Sequence, residues 1–159
     1  MERIFCILIG YAFGLLQTAF ILGKIKGIDI RKHGSGNSGT TNTLRVLGTK
    51  AGLLVFLGDC VKAILDILLT LYLFKDGSLQ TELVKLYTGL GVILGHNFPF
   101  YMNFKGGKGI ASTAGMIIMF DWHFVVIGII LFFGAFIITH YVSLGSLLVY
   151  AGFTIQMVI

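Results

Sequence analysis

Ala51–Phe74 reads AGLLVFLGDCVKAILDILLTLYLF, an apolar run broken only by Asp59, Lys62 and Asp66. A helix needs about 20 apolar residues to cross roughly 30 Å of hydrocarbon, and this run meets that length. Its three charges stand three and seven positions apart, so helical geometry gathers them on one face. A charge within hydrocarbon is costly unless it is paired or faces a polar interior. The stretch therefore predicts a membrane helix surrounded by others, with a structural ion pair turned into the bundle.

The rest of the chain supplies those neighbours. Further apolar runs lie at Ile4–Leu22, Leu83–Phe100, Ile110–Phe120, Phe124–Tyr141 and Ser143–Ile159. With 56% hydrophobic residues, 12% charged residues and one proline, the composition excludes an ordinary water-soluble domain. The expected fold is all-α: a polytopic transmembrane bundle of about six spans, forming a single integral membrane domain over residues 1–159. Ile110–Phe120 is short for a span and is expected to borrow length from Lys108 and Gly109 or to sit beside a thinned or water-filled region. The first run lacks the small-residue cleavage pattern of a signal peptide and reads as a span. Cys6 and Cys60 lie in apolar runs without a partner at metal-ligand spacing, so no metal site is expected.

Charge orients the bundle. Lys24, Lys26, Arg31, Lys32, Arg45 and Lys50 face a single acid, Asp29, in the first polar break, which assigns that loop to the cytoplasm. In the next break Lys75 and Lys85 are balanced by Asp76 and Glu82, which suits the opposite side. Threading the spans from an outside N-terminus puts the Lys24–Lys50 loop, the His96–Lys108 segment and the Tyr141–Ser146 turn on one cytoplasmic face.

Gly34–Arg45 reads GSGNSGTTNTLR. Glycines allow successive backbone N–H groups to turn toward one point, the hydroxyls of Ser35, Thr40 and Thr41 add donors, and Arg45 can neutralise a phosphate. Gly34, Gly36 and Gly39 formally match the dinucleotide fingerprint. That reading needs a strand before the motif and an acid about 20 residues beyond it, in a βαβ unit that a membrane bundle does not provide. A flexible connector is the plain alternative. In the second polar constellation, Gly95–Gly109, Lys105 and Lys108 flank Gly106 and Gly107, a pattern suited to an oxygen that gains negative charge. Lysines that merely anchor a helix at the membrane surface would not require glycine on both sides. His96 is either a general base or a loop-tying structural histidine, the second being the simpler reading. No histidine has an aspartate four or five residues later. Ser143 and Ser146 open the last run, with helix capping the plain role for Ser143.

Taken together these residues resemble the bacterial membrane-bound acyl-phosphate:glycerol-3-phosphate acyltransferases, the PlsY family. Lys24–Arg45, with Gly27-Ile-Asp-Ile-Arg31 and Gly34-Ser-Gly-Asn37, is similar to the family's first motif; Gly95–Gly109 resembles the second and Ser143-Leu-Gly-Ser146 the third. The resemblance implies acyl transfer from acyl phosphate to the 1-hydroxyl of glycerol 3-phosphate, giving lysophosphatidic acid and phosphate in a bacterial inner membrane. It also implies an active site facing the cytoplasm, no cofactor, and a soluble enzyme that supplies the acyl phosphate; nothing points to nucleic acid. Carried over by position, Ser35, Arg45 and Lys105 are the expected catalytic residues. Gly36, Asn37, Gly39, Thr40, Thr41, Asn42, His96, Gly106, Gly107, Lys108, Ser143 and Ser146 are the expected substrate-binding set. Thr40 stands where the family usually has alanine. Family members continue into a seventh span and a further motif with His, Asn, Arg and Glu, which this chain, ending at Ile159, does not contain. The rival reading is a small transporter or channel for an organic phosphate, for which Asp59 and Lys62 would line the pathway.

Overall fold

The computed structural model describes residues 1–158, and all the regular structure in them is helical. The chain divides into two compact units, Met1–Met116 and the residues from Ile117 onward.

In the first unit the expected opening span is two helices, α1 (Glu2–Gly14) and α2 (Thr18–Ile25), broken at Leu15–Gln17. The buried Gln17 sits at the break, and its Nε2 donates to the His96 carbonyl at 2.8 Å. After a 3-10 turn at Ile30–Lys32 come α3 (Thr40–Leu47), α4 (Thr49–Leu73) and α5 (Thr81–Asn97). A second 3-10 turn at Phe100–Met102 precedes α6 (Ile110–Ile118). The expected Leu83–Phe100 span thus ends three residues early, because the chain turns at Pro99, which cannot donate to a continuing helix.

Helix α1 packs along α5 through glycines on both. A methyl group at Gly10 would collide with the Thr88 carbonyl oxygen, one at Gly14 with that of Val92, one at Gly91 with that of Ile7, and one at Gly95 with that of Tyr11. Gly10 and Gly14, like Gly91 and Gly95, stand four apart. They form two facing G-x-x-x-G surfaces on parallel helices, so close that neither backbone leaves room for a side chain. Helix α6 is held likewise, with Gly115 against the Cys60 carbonyl of α4 and Gly89 of α5 against Met116.

The second unit is a helical hairpin, α7 (Trp122–Thr139) and α8 (Val142–Val158). The Asp121 carboxylate caps α7, accepting the His123 N–H at 2.8 Å, and His140 ends it in the left-handed region at φ 57°. Gly145 lies against Phe132, Gly128 near Val149, and Phe124 edge-on to Phe153 at 5.5 Å, an antiparallel register. No α7 side chain is buried, as suits an apolar helix whose solvent is lipid. Ile159, the last residue of the expected final span, lies outside the described residues.

By length and apolar composition alone, Glu2–Ile25 and Trp122–Thr139 qualify to cross a membrane. Helix α4 is longer, at 25 residues, but carries Asp59, Lys62 and Asp66. All three are buried. Asp59 and Lys62 form the expected ion pair, at 2.9 Å. Asp66 does not join it: neither of its carboxyl oxygens has a hydrogen-bond partner among the described residues. One helix face gathers the three charges as the spacing requires, and Lys62 stands only four residues from Asp66, but its ammonium is turned to Asp59, Leu16 O and His96 Nδ1 instead.

Candidate active site

The first polar loop is pinned at its start. Ile30, fully buried, packs with Ala19 and Val55, and the Asp29 carboxylate caps the turn that follows. It accepts the Arg31 backbone N–H at 3.1 Å and the Arg31 guanidinium at 2.9 and 2.8 Å. That side chain also lies over the Phe20 ring, 4.9 Å from its centre. The paired guanidinium and the backbone donor hold the Asp29 carboxyl at about 2, well below its ordinary range.

Beyond the turn, the buried Asn42 side chain organises the loop from behind. Its Oδ1 accepts the Ser35 N–H at 2.8 Å, and its Nδ2 donates to the carbonyls of Ile30, His33 and Asn37 at 3.2, 3.0 and 3.0 Å. Gly34, at φ 59°, has no room for a Cβ because the Asn42 amide occupies that space. The loop feeds into α3, whose first N–H groups have no intrahelical acceptor. The cradle therefore offers fewer free donors than the sequence suggests. The Ser35 and Gly36 N–H groups are already taken, the second by the His33 carbonyl at 3.1 Å.

The second loop folds back on the end of α5. The Gly106 N–H donates to Asn97 O at 3.0 Å and the Gly107 N–H to His96 O at 3.1 Å. Between them Pro99 accepts from the Met102 and Phe104 N–H groups, closing a tight turn in which Asn103 and Phe104 take positive φ, 54° and 58°. For phenylalanine that conformation is strained. It delivers Lys105 to the loop rim.

The two loops meet. Asn37 Nδ2 donates to Gly106 O at 3.4 Å, and Gly39 lies beside Gly107. They enclose a cavity of about 430 Å³, with Ser35, Gly36 and Asn37 on one wall and Lys105 and Gly106 on the other, completed by Asp29, Arg31, Lys32, Met102 and Asn103. Lys105, Lys32 and Arg31 place three cations around one opening, while Asp29 is already engaged by Arg31.

Of the expected residues, Ser35, Gly36, Asn37, Lys105 and Gly106 line this cavity. Thr40 and Thr41 occupy the first turn of α3, and Arg45 its exposed last turn, outside the cavity lining. Asn42 is buried behind the loop, its side chain spent on backbone groups, so it shapes the site rather than touching a ligand. His96 is also buried, with Gly107 against its ring, and Lys108 follows on the exposed side. Ser143 lies inside the first turn of α8, which begins at Val142, and so does not cap it. Ser146 is buried, with its hydroxyl donating to the Val142 carbonyl at 2.8 Å. Sequence reasoning missed Asp29, Arg31, Lys32, Met102 and Asn103 as lining residues. The one available signal was their place inside the two motifs.

Fold and cavity together define a helical integral membrane protein with a polar, cation-rimmed site built from loops. The family model described as glycerol-3-phosphate acyltransferase matches residues 4–159. Glycerol-3-phosphate acyltransferase 1 of Oceanobacillus iheyensis is 40% identical over 158 residues, covering 98% of this chain and 76% of that protein. The glycerol-3-phosphate acyltransferase of Halalkalibacterium halodurans is 41% identical over 150 residues, 93% of this chain and 71% of its own. Among solved structures, PlsY (YgiH), an integral membrane glycerol 3-phosphate acyltransferase, superposes in its glycerol 3-phosphate form with TM-score 0.84 at 33% identity, covering 99% of this chain and 78% of that one. Its lysophosphatidic acid form gives TM-score 0.82 at 32% identity. The chain belongs to the glycerol-3-phosphate acyltransferase family.

Proposed function

We propose that this protein transfers a fatty acyl group from acyl phosphate to the 1-hydroxyl of glycerol 3-phosphate, forming lysophosphatidic acid and inorganic phosphate at the first acylation of phospholipid synthesis. The observation that carries this reading is the junction of the two loops, where Ser35 and Lys105 line one cavity across the Asn37–Gly106 hydrogen bond. Acyl-transfer activity on glycerol 3-phosphate follows from membership of the family. The donor, the topology and the residue roles are our reading.

The glycerol 3-phosphate hydroxyl oxygen attacks the acyl carbonyl carbon, the bond from that carbon to the phosphate oxygen breaks, and phosphate leaves. Because the donor is already activated, a phosphate oxygen can take the hydroxyl proton and no protein base is needed. Lys105 and the N–H groups at the start of α3 hold the donor phosphate and offset charge as it grows, Ser35 adds a donor, and Arg45 takes the glycerol 3-phosphate. Positioning and electrostatics then carry most of the rate.

In this reading the chain is one domain of six spans in the bacterial inner membrane, with its N-terminus outside and the cavity open to the cytoplasm, where a soluble enzyme delivers acyl phosphate. The paired, buried Asp59 and Lys62 speak against the transporter alternative, because a pathway needs its charges accessible. The test is to incubate detergent-solubilised protein with acyl phosphate and radiolabelled glycerol 3-phosphate. Labelled lysophosphatidic acid, absent with acyl-CoA as donor, supports the proposal; glycerol 3-phosphate flux across sealed vesicles without product overturns it.

A further inference from the structure

The Asp59–Lys62 pair does more than neutralise charge within α4. The Lys62 ammonium meets four acceptors: Leu16 O at 2.6 Å, Asp59 Oδ1 at 2.9 Å, His96 Nδ1 at 2.9 Å and, more distantly, Gly14 O at 3.4 Å. Asp59 is fixed in turn by the Thr18 hydroxyl, which donates to its Oδ1 at 2.9 Å. Lys62 therefore joins three segments: α4, the break between α1 and α2, and the end of α5.

An ammonium can only donate. His96 Nδ1 must accept, so the ring proton belongs on Nε2, the edge that lies against Gly107, where a Cβ would overlap it. The His96 carbonyl accepts from both Gln17 Nε2 and the Gly107 N–H, so ring and backbone of this one residue carry the second loop. From Gly107 the path is one residue to Gly106, which holds Asn37 across the cavity, and one more to Lys105.

We propose that Lys62 is a positioning residue for acyl transfer: by donating to His96 Nδ1 it fixes the Nε2–H tautomer and ring orientation of His96, and through them the Gly106–Gly107 turn that sets Lys105 in the cavity. Lys62 touches no substrate. The proposal rests on the acyltransferase reading for its kinetic consequence but not for its structural one. A displacement of about 1 Å at a reacting group, even when caused from afar, costs on the order of a hundredfold in rate.

Two measurements test it. The first is 15N NMR of histidine-labelled protein in lipid bilayers, with the His96 signal assigned by elimination through His33→Gln, His123→Gln and His140→Gln, all at exposed positions. A non-protonated Nδ1 with a protonated Nε2 is expected, and a protonated Nδ1 overturns the proposal even if no Lys62 or His96 variant folds. The second compares Lys62→Met, His96→Asn and the double variant, each normalised to folded protein by size-exclusion chromatography. Lys62→Met is expected to lower kcat/KM for glycerol 3-phosphate about a hundredfold, and to add little once His96 is Asn. Normal kcat and KM per folded molecule, or losses that simply multiply in the double variant, overturn it. If the unmodified protein makes no lysophosphatidic acid, the function proposed above fails, while the tautomer still decides this inference.

Discussion

Asn42 stands behind Ser35, accepting its backbone N–H at 2.8 Å while donating to three carbonyls of the same loop. One buried amide thus takes the place of a sheet or helix for a stretch that has neither. Asn42→Ala leaves one N–H and three carbonyls without this partner, and a buried unsatisfied group costs about 1–3 kcal/mol. Asn42→Asp keeps the acceptor and loses both donors. Both variants are expected to raise KM for glycerol 3-phosphate at least tenfold and to lower the melting temperature in detergent, with Asn42→Ala the less stable of the two.

Lys105 occupies the cavity rim at the end of a strained turn, and its replacement separates chemistry from folding. Removing one well-placed donor to developing charge costs about 2.7–4 kcal/mol, or 10²–10³ in kcat. Lys105→Ala is therefore expected to retain insertion and melting temperature while lysophosphatidic acid formation falls by that factor. Turnover near normal would remove Lys105 from the mechanism.

Much of this was legible in the sequence and some could not have been. The apolar runs gave the long helices to within a few residues, since periodicity and length are local properties, but not the eight-residue α3, which lies in the polar loop. The two loops were identifiable because glycine beside lysine or hydroxyl residues is rarely needed for anchoring. What the chain did not announce was partnership. That Lys62 would reach His96, thirty-four positions away, or that Asn42 would face inward while its neighbour Thr41 faces out, depends on packing between elements. The break at Leu15–Gln17 was hidden for the same reason: an apolar window does not register lost helical bonds when Lys62 donates to the Leu16 carbonyl and the Gln17 side chain to that of Gly14. The two G-x-x-x-G patterns, Gly10–Gly14 and Gly91–Gly95, were in plain view and could have paired α1 with α5.

The Asp29–Arg31 pair makes a prediction about acid. Its carboxyl sits at about 2 in the folded protein against an ordinary 3.8, lowered first by the Arg31 side-chain hydrogen bonds. A lowered folded value means the pair's stabilisation is present above about 3.8 and is lost as pH falls through about 2. Carboxyl 13C titration of Asp29 should show the low midpoint, and Arg31→Met should return it toward the ordinary value. Asp29→Asn should remove the pair's share of the acid sensitivity in that window and free Arg31 from its place on the cavity wall.

Gly91 offers the sharpest test of the helix pairing. Any side chain there meets the Ile7 carbonyl and the Gly10 backbone, and neither is the flexible end of a side chain that could swing away. Gly91→Leu should force α5 off α1 and drag His96, on the same helix, from Lys62. Loss of monodisperse folded protein in detergent is expected, with Gly91→Ala intermediate. By contrast Gly134 on α7 has nothing within 4 Å of an added Cβ. Gly134→Ala should leave the melting temperature unchanged or raised by a helix-propensity gain of about 0.8–1.0 kcal/mol.

Asp66 closes the set because its expected effect runs the other way. It is fully buried on α4, and neither carboxyl oxygen has a hydrogen-bond partner among the described residues. Asp59, on the same face, is held by both Lys62 and Thr18. Removing one member of a buried pair strands the other and costs about 3–5 kcal/mol, whereas replacing an acid outside any ion pair with a neutral group of similar volume strands no opposite charge. Asp59→Asn should therefore destabilise the protein strongly, and Asp66→Asn should leave its melting temperature equal or higher. A matched fall in both, measured in the same detergent, would mean that Asp66 also has a partner on which the fold depends.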